Sequence, residues 1–137
     1  MSQLVSFVIP CYKSALTIGG VIGEIAEAMA ALPAYEYEIV LVNDCSPDNT
    51  FEVIRGICET NDKVKGINLA KNFGQHAALM AGFAQAKGDI VICLDDDGQT
   101  PANEVGKLLA GIENGADVVF ARYALNKHSR FRICGRK

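Results

Sequence analysis

The 137 residues amount to 14.7 kDa, half of them hydrophobic and 21% charged, with a mean hydropathy of +0.16. That balance belongs to one folded globular domain and excludes a disordered tail, a coiled coil, a collagen-like repeat and a low-complexity segment. The net charge of −3 is uneven: residues 1–121 carry seven bases against 16 acids, −9, whereas residues 122–137 carry six bases and no acid, +6. A basic end on an acidic body is not a general nucleic-acid footprint; it suits a phosphate group, an anionic membrane surface or plain solvation. The longest uncharged stretches, Met1 to Tyr12 and Phe73 to Ala86, are shorter than the 18 or so residues of a membrane span. The start lacks the basic segment, apolar run and small-residue site of a secretion signal. Five cysteines with no C-x-x-C pair encode neither a disulfide framework nor a zinc site, and four of them read as small core residues in a reducing compartment.

In chain order, Leu4 to Ile9 is a β-branched run closed by Pro10 and reads as a buried strand. Ile18, Val21, Ile22, Ile25, Ala26 and Met29 recur at helical spacing, with Ser14 or Thr17 as N-cap and Pro33 as the stop. Glu38 to Val42 is a second strand that ends in the turn-rich Asn43-Asp44-Cys45-Ser46-Pro47-Asp48. A helix with Val53, Ile54, Ile57 and Cys58 inward follows, then a weaker strand, Lys65 to Leu69, and a small-residue helix, Ala77 to Ala86. Asp89 to Leu94 contains the apolar run Ile90-Val91-Ile92-Cys93-Leu94 of a strand buried on both faces. Thr100 caps and Pro101 opens a helix with Val105, Leu108, Leu109 and Ile112 on one side, and Asp117 to Ala121 supplies a fifth strand. The alternation predicts an α/β domain over residues 1–121, a doubly wound, mostly parallel sheet with helices on both faces, followed by a basic tail over 122–137.

Doubly wound sheets bind ligands at the carboxyl ends of their strands. The strongest chemistry there is Asp95-Asp96-Asp97-Gly98-Gln99, after the fourth strand. Three adjacent carboxylates cannot all be desolvated unless a cation matches them. In an extended segment Asp95, Asp97 and Gln99 share a side, and two carboxylates with an amide oxygen suit Mg2+ or Mn2+ beside a diphosphate. A solvated acidic turn is the alternative. Asp44, after the second strand, could accept hydrogen bonds from a ribose or base, or bond its own turn with Ser46, Asp48 and Asn49 and cap the next helix. Pro10 and Tyr12 form the rim after the first strand, where the Tyr12 ring could stack on a base or simply pack. Neither G-x-G-x-x-G at a strand end nor a P-loop occurs, and His76 and His128 have no matching nucleophile elbow.

Four segments in this order, Val8 to Tyr12, Ile39 to Thr50, Asn72 to Leu79 and Leu94 to Pro101, resemble the family 2 glycosyltransferases, nearest to the polyprenyl-phosphate branch that resembles dolichol-phosphate mannose synthase. The resemblance covers nearly the whole chain and implies the donor-binding half of a nucleotide-diphospho-sugar transferase fold. It further implies metal-dependent, inverting transfer from a UDP- or GDP-sugar to a lipid phosphate or glycan. Residue by residue it implies nucleotide contacts by Pro10, Tyr12, Asp44, Lys71, Asp95 and Asp96, and engagement of Mn2+ or Mg2+ by Asp95, Asp97 and Gln99. The family's Tyr-Asn-Glu is Tyr12-Lys13-Ser14 here, and no catalytic base is assigned, because that carboxylate follows the fifth strand in most members. A chain that stops there leaves a strand edge uncovered, so self-association is expected, in a cytoplasmic protein that can sit at the inner face of the membrane. Two rivals remain: a nucleotide-binding module without turnover, and a haloacid dehalogenase-type phosphotransferase, whose D-x-D-G loop Asp95 to Gly98 resembles.

Overall fold

In the computed structural model, which describes residues 3–94, 102–113, 120–122 and 130–136, five strands and four helices alternate and a sixth strand follows. They are β1 (Gln3–Cys11), α1 (Ile18–Ala30), β2 (Tyr35–Asn43), α2 (Thr50–Thr60), β3 (Val64–Asn68), α3 (Gln75–Gln85), β4 (Ile90–Cys93), α4 (Ala102–Glu113), β5 (Phe120–Arg122) and β6 (Arg130–Arg136). All form one sheet in the order β3-β2-β1-β4-β6-β5. The first four strands are parallel, and β6 runs antiparallel to both β4 and β5. The fold is therefore the doubly wound, mostly parallel α/β sheet expected from the alternation. Arg130–Arg136, inside the segment read as a basic tail, forms β6.

Side-chain alternation divides the core in two. Val5, Phe7 and Ile9 of β1 join Ile39 and Leu41 of β2 and Ile90 and Ile92 of β4 beneath α1, α2 and α4. Val8, Val40, Val42 and Val91 face the other way, beneath α3. The α3 helix buries only small residues, Ala78 and Gly82. A Cβ at Gly82 would overlap Val8 Cγ1 and stand 3.2 Å from Val42 Cγ2, so its absence lets the helix backbone lie close on the sheet. Thr17 is the N-cap of α1, one of the two expected, but its side chain makes no cap bond. Thr100 and Pro101 lie outside the described residues.

A buried acid secures the far end of α3. Glu38, directly opposite Ser6 in the β1–β2 pair, accepts hydrogen bonds from Ser6 Oγ at 2.5 Å and from the Lys87 backbone N–H at 2.6 Å. Its other oxygen meets Lys65 Nζ at 2.8 Å. Ser6 Oγ in turn accepts from Gly88 N–H at 2.8 Å. Burial alone pushes the Glu38 carboxyl up, but the Lys65, Ser6 and Lys87 hydrogen bonds and the Lys65 charge outweigh it and hold the group below its ordinary value. Chain exit from α3 is thereby tied to β1, β2 and β3 together.

Of the cysteines, Cys11 and Cys93 are buried and Cys58 half-buried, where burial raises the thiol. Cys45 corrects the expectation of a core residue: it is exposed, because the chain turns left-handed there (φ 52°) on leaving β2.

Two stability predictions follow from these contacts. Gly82→Ala should destabilise by about 1–3 kcal/mol through overpacking against Val8, read as a lower urea midpoint. Glu38→Gln should cost about 1–3 kcal/mol at pH 7. Because the Glu38 pKa is depressed on folding, its stabilisation is complete above the unfolded value of about 4.3 and disappears as pH falls through the folded value. The difference between wild type and Glu38→Gln should therefore shrink below about pH 4; an equal gap at pH 7 and pH 3 would show that the carboxylate charge contributes nothing.

Candidate functional site

The chain moves outward from β1 through β2 to β3 and then returns to place β4 on the other side of β1. This reversal makes the carboxyl ends of β1 and β4 the switch point, where doubly wound sheets leave a crevice. Pro10 sharpens it. Leu94 N–H donates to Val8 O at 3.1 Å, and the next rung of a parallel ladder would run from residue 10 to the Leu94 carbonyl. Proline has no N–H, so β1 and β4 part there. On its other side β1 stays paired with β2, Pro10 opposite Val42 and Cys11 opposite Asn43, so the strand runs two residues beyond the expected Ile9.

Asp44 continues that pairing: its N–H donates to Cys11 O at 3.0 Å. Its carboxylate is buried and accepts two backbone hydrogen bonds, from Phe73 N–H at 3.0 Å and Gly74 N–H at 3.1 Å. Gly74 has φ 96°, a conformation that side chains rarely adopt, and also donates to Asn72 Oδ1 at 3.1 Å. Asp44 thus binds neither its own turn nor α2; it holds the loop that opens α3. A carboxylate has about four lone-pair directions, so two bonds leave it able to accept more. Lys71 is exposed in the same loop, two residues before Phe73.

The rim after β1 is organised by β2's loop. Tyr12 is 42% exposed, with Lys13 Nζ 5.7 Å from its ring centroid. Lys13 adopts φ 53°. Its N–H donates to Ser46 Oγ at 2.8 Å, and the Ser14 N–H donates to Thr50 Oγ1 at 3.0 Å. Both hydroxyls donate to Asp48 Oδ1 at 2.5 Å, which also accepts Thr50 N–H at 3.1 Å. The hydrogen bonds from Ser46 and Thr50 hold the Asp48 carboxyl below its ordinary value. Asn49 is the N-cap of α2 and its side chain makes no cap bond; Asp48, one residue earlier, instead takes the N–H of Thr50, the first residue of the helix. The hold of Asp48 on the β1 loop was invisible in sequence, since Ser14 and Thr50 are 36 positions apart.

The structure thus brings Pro10, Tyr12 and Asp44 to one edge, with Lys71 in the adjoining loop. Asp95, Asp96, Asp97 and Gln99 lie outside the described residues; in sequence they follow Leu94, which is buried at the end of β4. Among the described residues no group of three or more His, Cys, Asp or Glu could hold a metal ion. No helix among the described residues is long and apolar enough to cross a membrane.

A doubly wound domain with a crevice at its β1–β4 switch point is an architecture that many nucleotide-binding proteins share. Residues 6–133 match the model of glycosyl transferase family 2, and the chain belongs to that family. An undecaprenyl-phosphate 4-deoxy-4-formamido-L-arabinose transferase of Aeromonas hydrophila is 39% identical over 131 residues, 95% of this chain and 40% of that protein. The chain spans about 40% of the length of the curated relatives it matches. A mannosyltransferase of Pyrobaculum calidifontis, solved in complex with GDP-Man and Mn2+, is 25% identical with a TM-score of 0.62 over 71% of this chain and 28% of that one. Mannosyl-3-phosphoglycerate synthase of Rubrobacter xylanophilus shares the fold, with a TM-score of 0.68 and 22% identity over 88% of this chain and 39% of that one. The family match does not favour the dehalogenase-type reading.

Asp44→Ala removes the acceptor of the Phe73 N–H and one of the two acceptors of the Gly74 N–H, an expected loss of about 1–2 kcal/mol in urea unfolding. Asp44→Asn, which keeps one acceptor oxygen, should lose less.

Proposed function

We propose that the chain is the donor-binding part of a glycosyltransferase that passes a sugar from a nucleoside-diphosphate sugar, with inversion, to a lipid phosphate or a glycan. The observation that carries this reading is the switch point, where Pro10, Tyr12 and Asp44 meet as β1 and β4 separate and from which the Asp95–Gln99 run departs in sequence. Tyr12 stacks on the base, and Asp44 accepts from the ribose or a base N–H while Phe73 and Gly74 hold it in place. Pro10 and Asp96 border the nucleoside, and Lys71 approaches the phosphates from the β3–α3 loop.

Asp95, Asp97 and Gln99 would hold Mn2+ or Mg2+, with Asp95 also reaching the nucleotide. The cation supplies stabilisation of the negative charge that develops on the departing diphosphate. A phosphate acceptor is already ionised at neutral pH, so its oxygen attacks without a base from this chain; a hydroxyl acceptor requires one. The GDP-Man and Mn2+ bound by the Pyrobaculum mannosyltransferase support a nucleotide-sugar donor and a divalent ion. The undecaprenyl-phosphate 4-deoxy-4-formamido-L-arabinose transferases among the relatives support a polyprenyl-phosphate acceptor. A lipid acceptor fits a cytoplasmic protein working at the membrane surface. Among the described residues the sheet ends in β3 on one side and β5 on the other, and a free strand edge would favour self-association.

Calorimetric titration with UDP and GDP, with and without Mn2+, tests the donor site. One nucleotide should bind in a metal-dependent manner, and Asp97→Ala should remove that dependence. Absence of binding to either by a folded wild-type chain would overturn the reading, and binding without turnover of the nucleotide sugar would reduce it to a nucleotide-binding module. Sedimentation over micromolar concentrations should show species above 14.7 kDa, whereas a strictly monomeric profile would remove self-association.

A further inference from the structure

The loop that carries Tyr12 is tied both to the start of α1 and to the β2–α2 connection. Tyr12 N–H donates to Ser14 Oγ at 2.9 Å, and the Ser14 carbonyl accepts from Thr17 and Ile18 at the start of α1. The left-handed turn at Lys13 between them costs about 1–2 kcal/mol for a residue with a Cβ. It is secured from outside, by Ser46 and Thr50 of the β2–α2 connection. Each hydroxyl has a single proton and spends it on Asp48 Oδ1, which turns the lone pairs of both oxygens toward the Lys13 and Ser14 amides. Chains of this kind polarise one another, so the carboxylate strengthens bonds it does not itself make. Thr50 is fully buried and Ser14 is 1% exposed, and water does not substitute easily for that branch. The Ser46 branch is exposed and weaker.

We infer that Asp48 and Thr50 are positioning residues for the donor nucleoside: through the Ser46 and Thr50 hydroxyls they fix the Tyr12-Lys13-Ser14 loop in the shape that presents Tyr12 to the base. This rests on the donor-site reading above and adds residues that touch no part of the nucleotide. The β2–α2 turn would then act on the nucleoside at two removes, distinct from the direct contact by Asp44. The relay reaches only the nucleoside rim. Binding of inorganic pyrophosphate with Mn2+, which involves the residues after β4, should be indifferent to it, and that separates positioning from a general loss of structure.

The test compares UDP or GDP, whichever the wild type binds, with pyrophosphate, both with Mn2+, on Thr50→Val, Thr50→Ser and Asp48→Ala. Thr50→Val keeps the shape of the side chain and removes the buried branch of the relay, and nucleotide affinity should fall about tenfold with pyrophosphate affinity within about twofold. Thr50→Ser restores the hydroxyl and should bind the nucleotide like the wild type. Asp48→Ala, at an exposed position, removes the acceptor of both hydroxyls, carries the test if Thr50→Val does not fold, and should weaken nucleotide binding in the same selective way. Either variant combined with Tyr12→Ala should bind no more weakly than Tyr12→Ala alone, since the relay acts through that ring. Undiminished nucleotide affinity in folded Asp48→Ala, or equal losses for nucleotide and pyrophosphate, would overturn the inference. A wild type that binds pyrophosphate and neither nucleotide would instead overturn the donor-site reading, and the inference with it.

Discussion

Two carboxylates, Glu38 in β2 and Asp44 just past its end, determine where α3 lies, and the candidate site depends on that placement. Glu38 takes the backbone N–H of Lys87, just past the helix, and Asp44 takes those of Phe73 and Gly74, just before it. Six residues of strand span about 20 Å at 3.3 Å each, and the 11 residues of α3 span about 16 Å at 1.5 Å each. One carboxylate therefore falls at each end of an antiparallel helix. This explains how a helix whose buried side chains are Ala78 and Gly82 is held at all. Its ends are fixed by charge-assisted hydrogen bonds in a largely apolar setting, and its middle by close approach to Val8 and Val42. The same arrangement brings the Lys71–Gly74 loop to the switch point.

The architecture was legible because burial on both faces leaves continuous apolar runs, and those of β1, β2 and β4 are unmistakable. Their ends were less so. Hydrogen-bond pairing carries β1 through Pro10 and Cys11, beyond the last β-branched residue, and nothing in hydropathy marks that. Asp44 could be assigned to the site from its place after a strand, but the choice between ligand and turn could not include the Phe73 and Gly74 amides some 30 positions away. Glu38 read as an ordinary strand start; its partners come from three other parts of the chain. In Arg130-Phe131-Arg132-Ile133, charge and apolarity alternate with the period of a strand, yet six bases in 16 residues drew the reading toward solvent.

Among the described residues, left-handed backbone is confined to the same edge. Among the described residues the positive-φ positions are Lys13, Cys45 and Gly74, one in each of the loops after β1, β2 and β3. Each loop is held by another: Lys13 by Ser46, Cys45 by the Ala70 carbonyl at 3.7 Å, and Gly74 by Asp44. No loop could relax alone without giving up a bond to its neighbour, which is how unfavourable conformations persist in a folded protein. The three loops thus form a connected rim. A ligand bridging them would find the geometry already set and would lose less ordering entropy on binding.

The end of β4 completes that rim from the opposite direction. Its pairing with β1 and with β6 reaches Cys93, and Pro10 denies the next rung on the β1 side. Leu94 is buried, and the three aspartates follow it in sequence. A carboxylate one or two residues earlier would fall within a strand covered on both faces, where an unpaired charge costs several kcal/mol or forces protonation. Lys13 and Lys71 are exposed in the rim loops, and two ammonium groups on flexible stems do not balance three adjacent carboxylates. In the proposed donor site the divalent cation carries the remaining compensation, which makes metal and diphosphate binding interdependent.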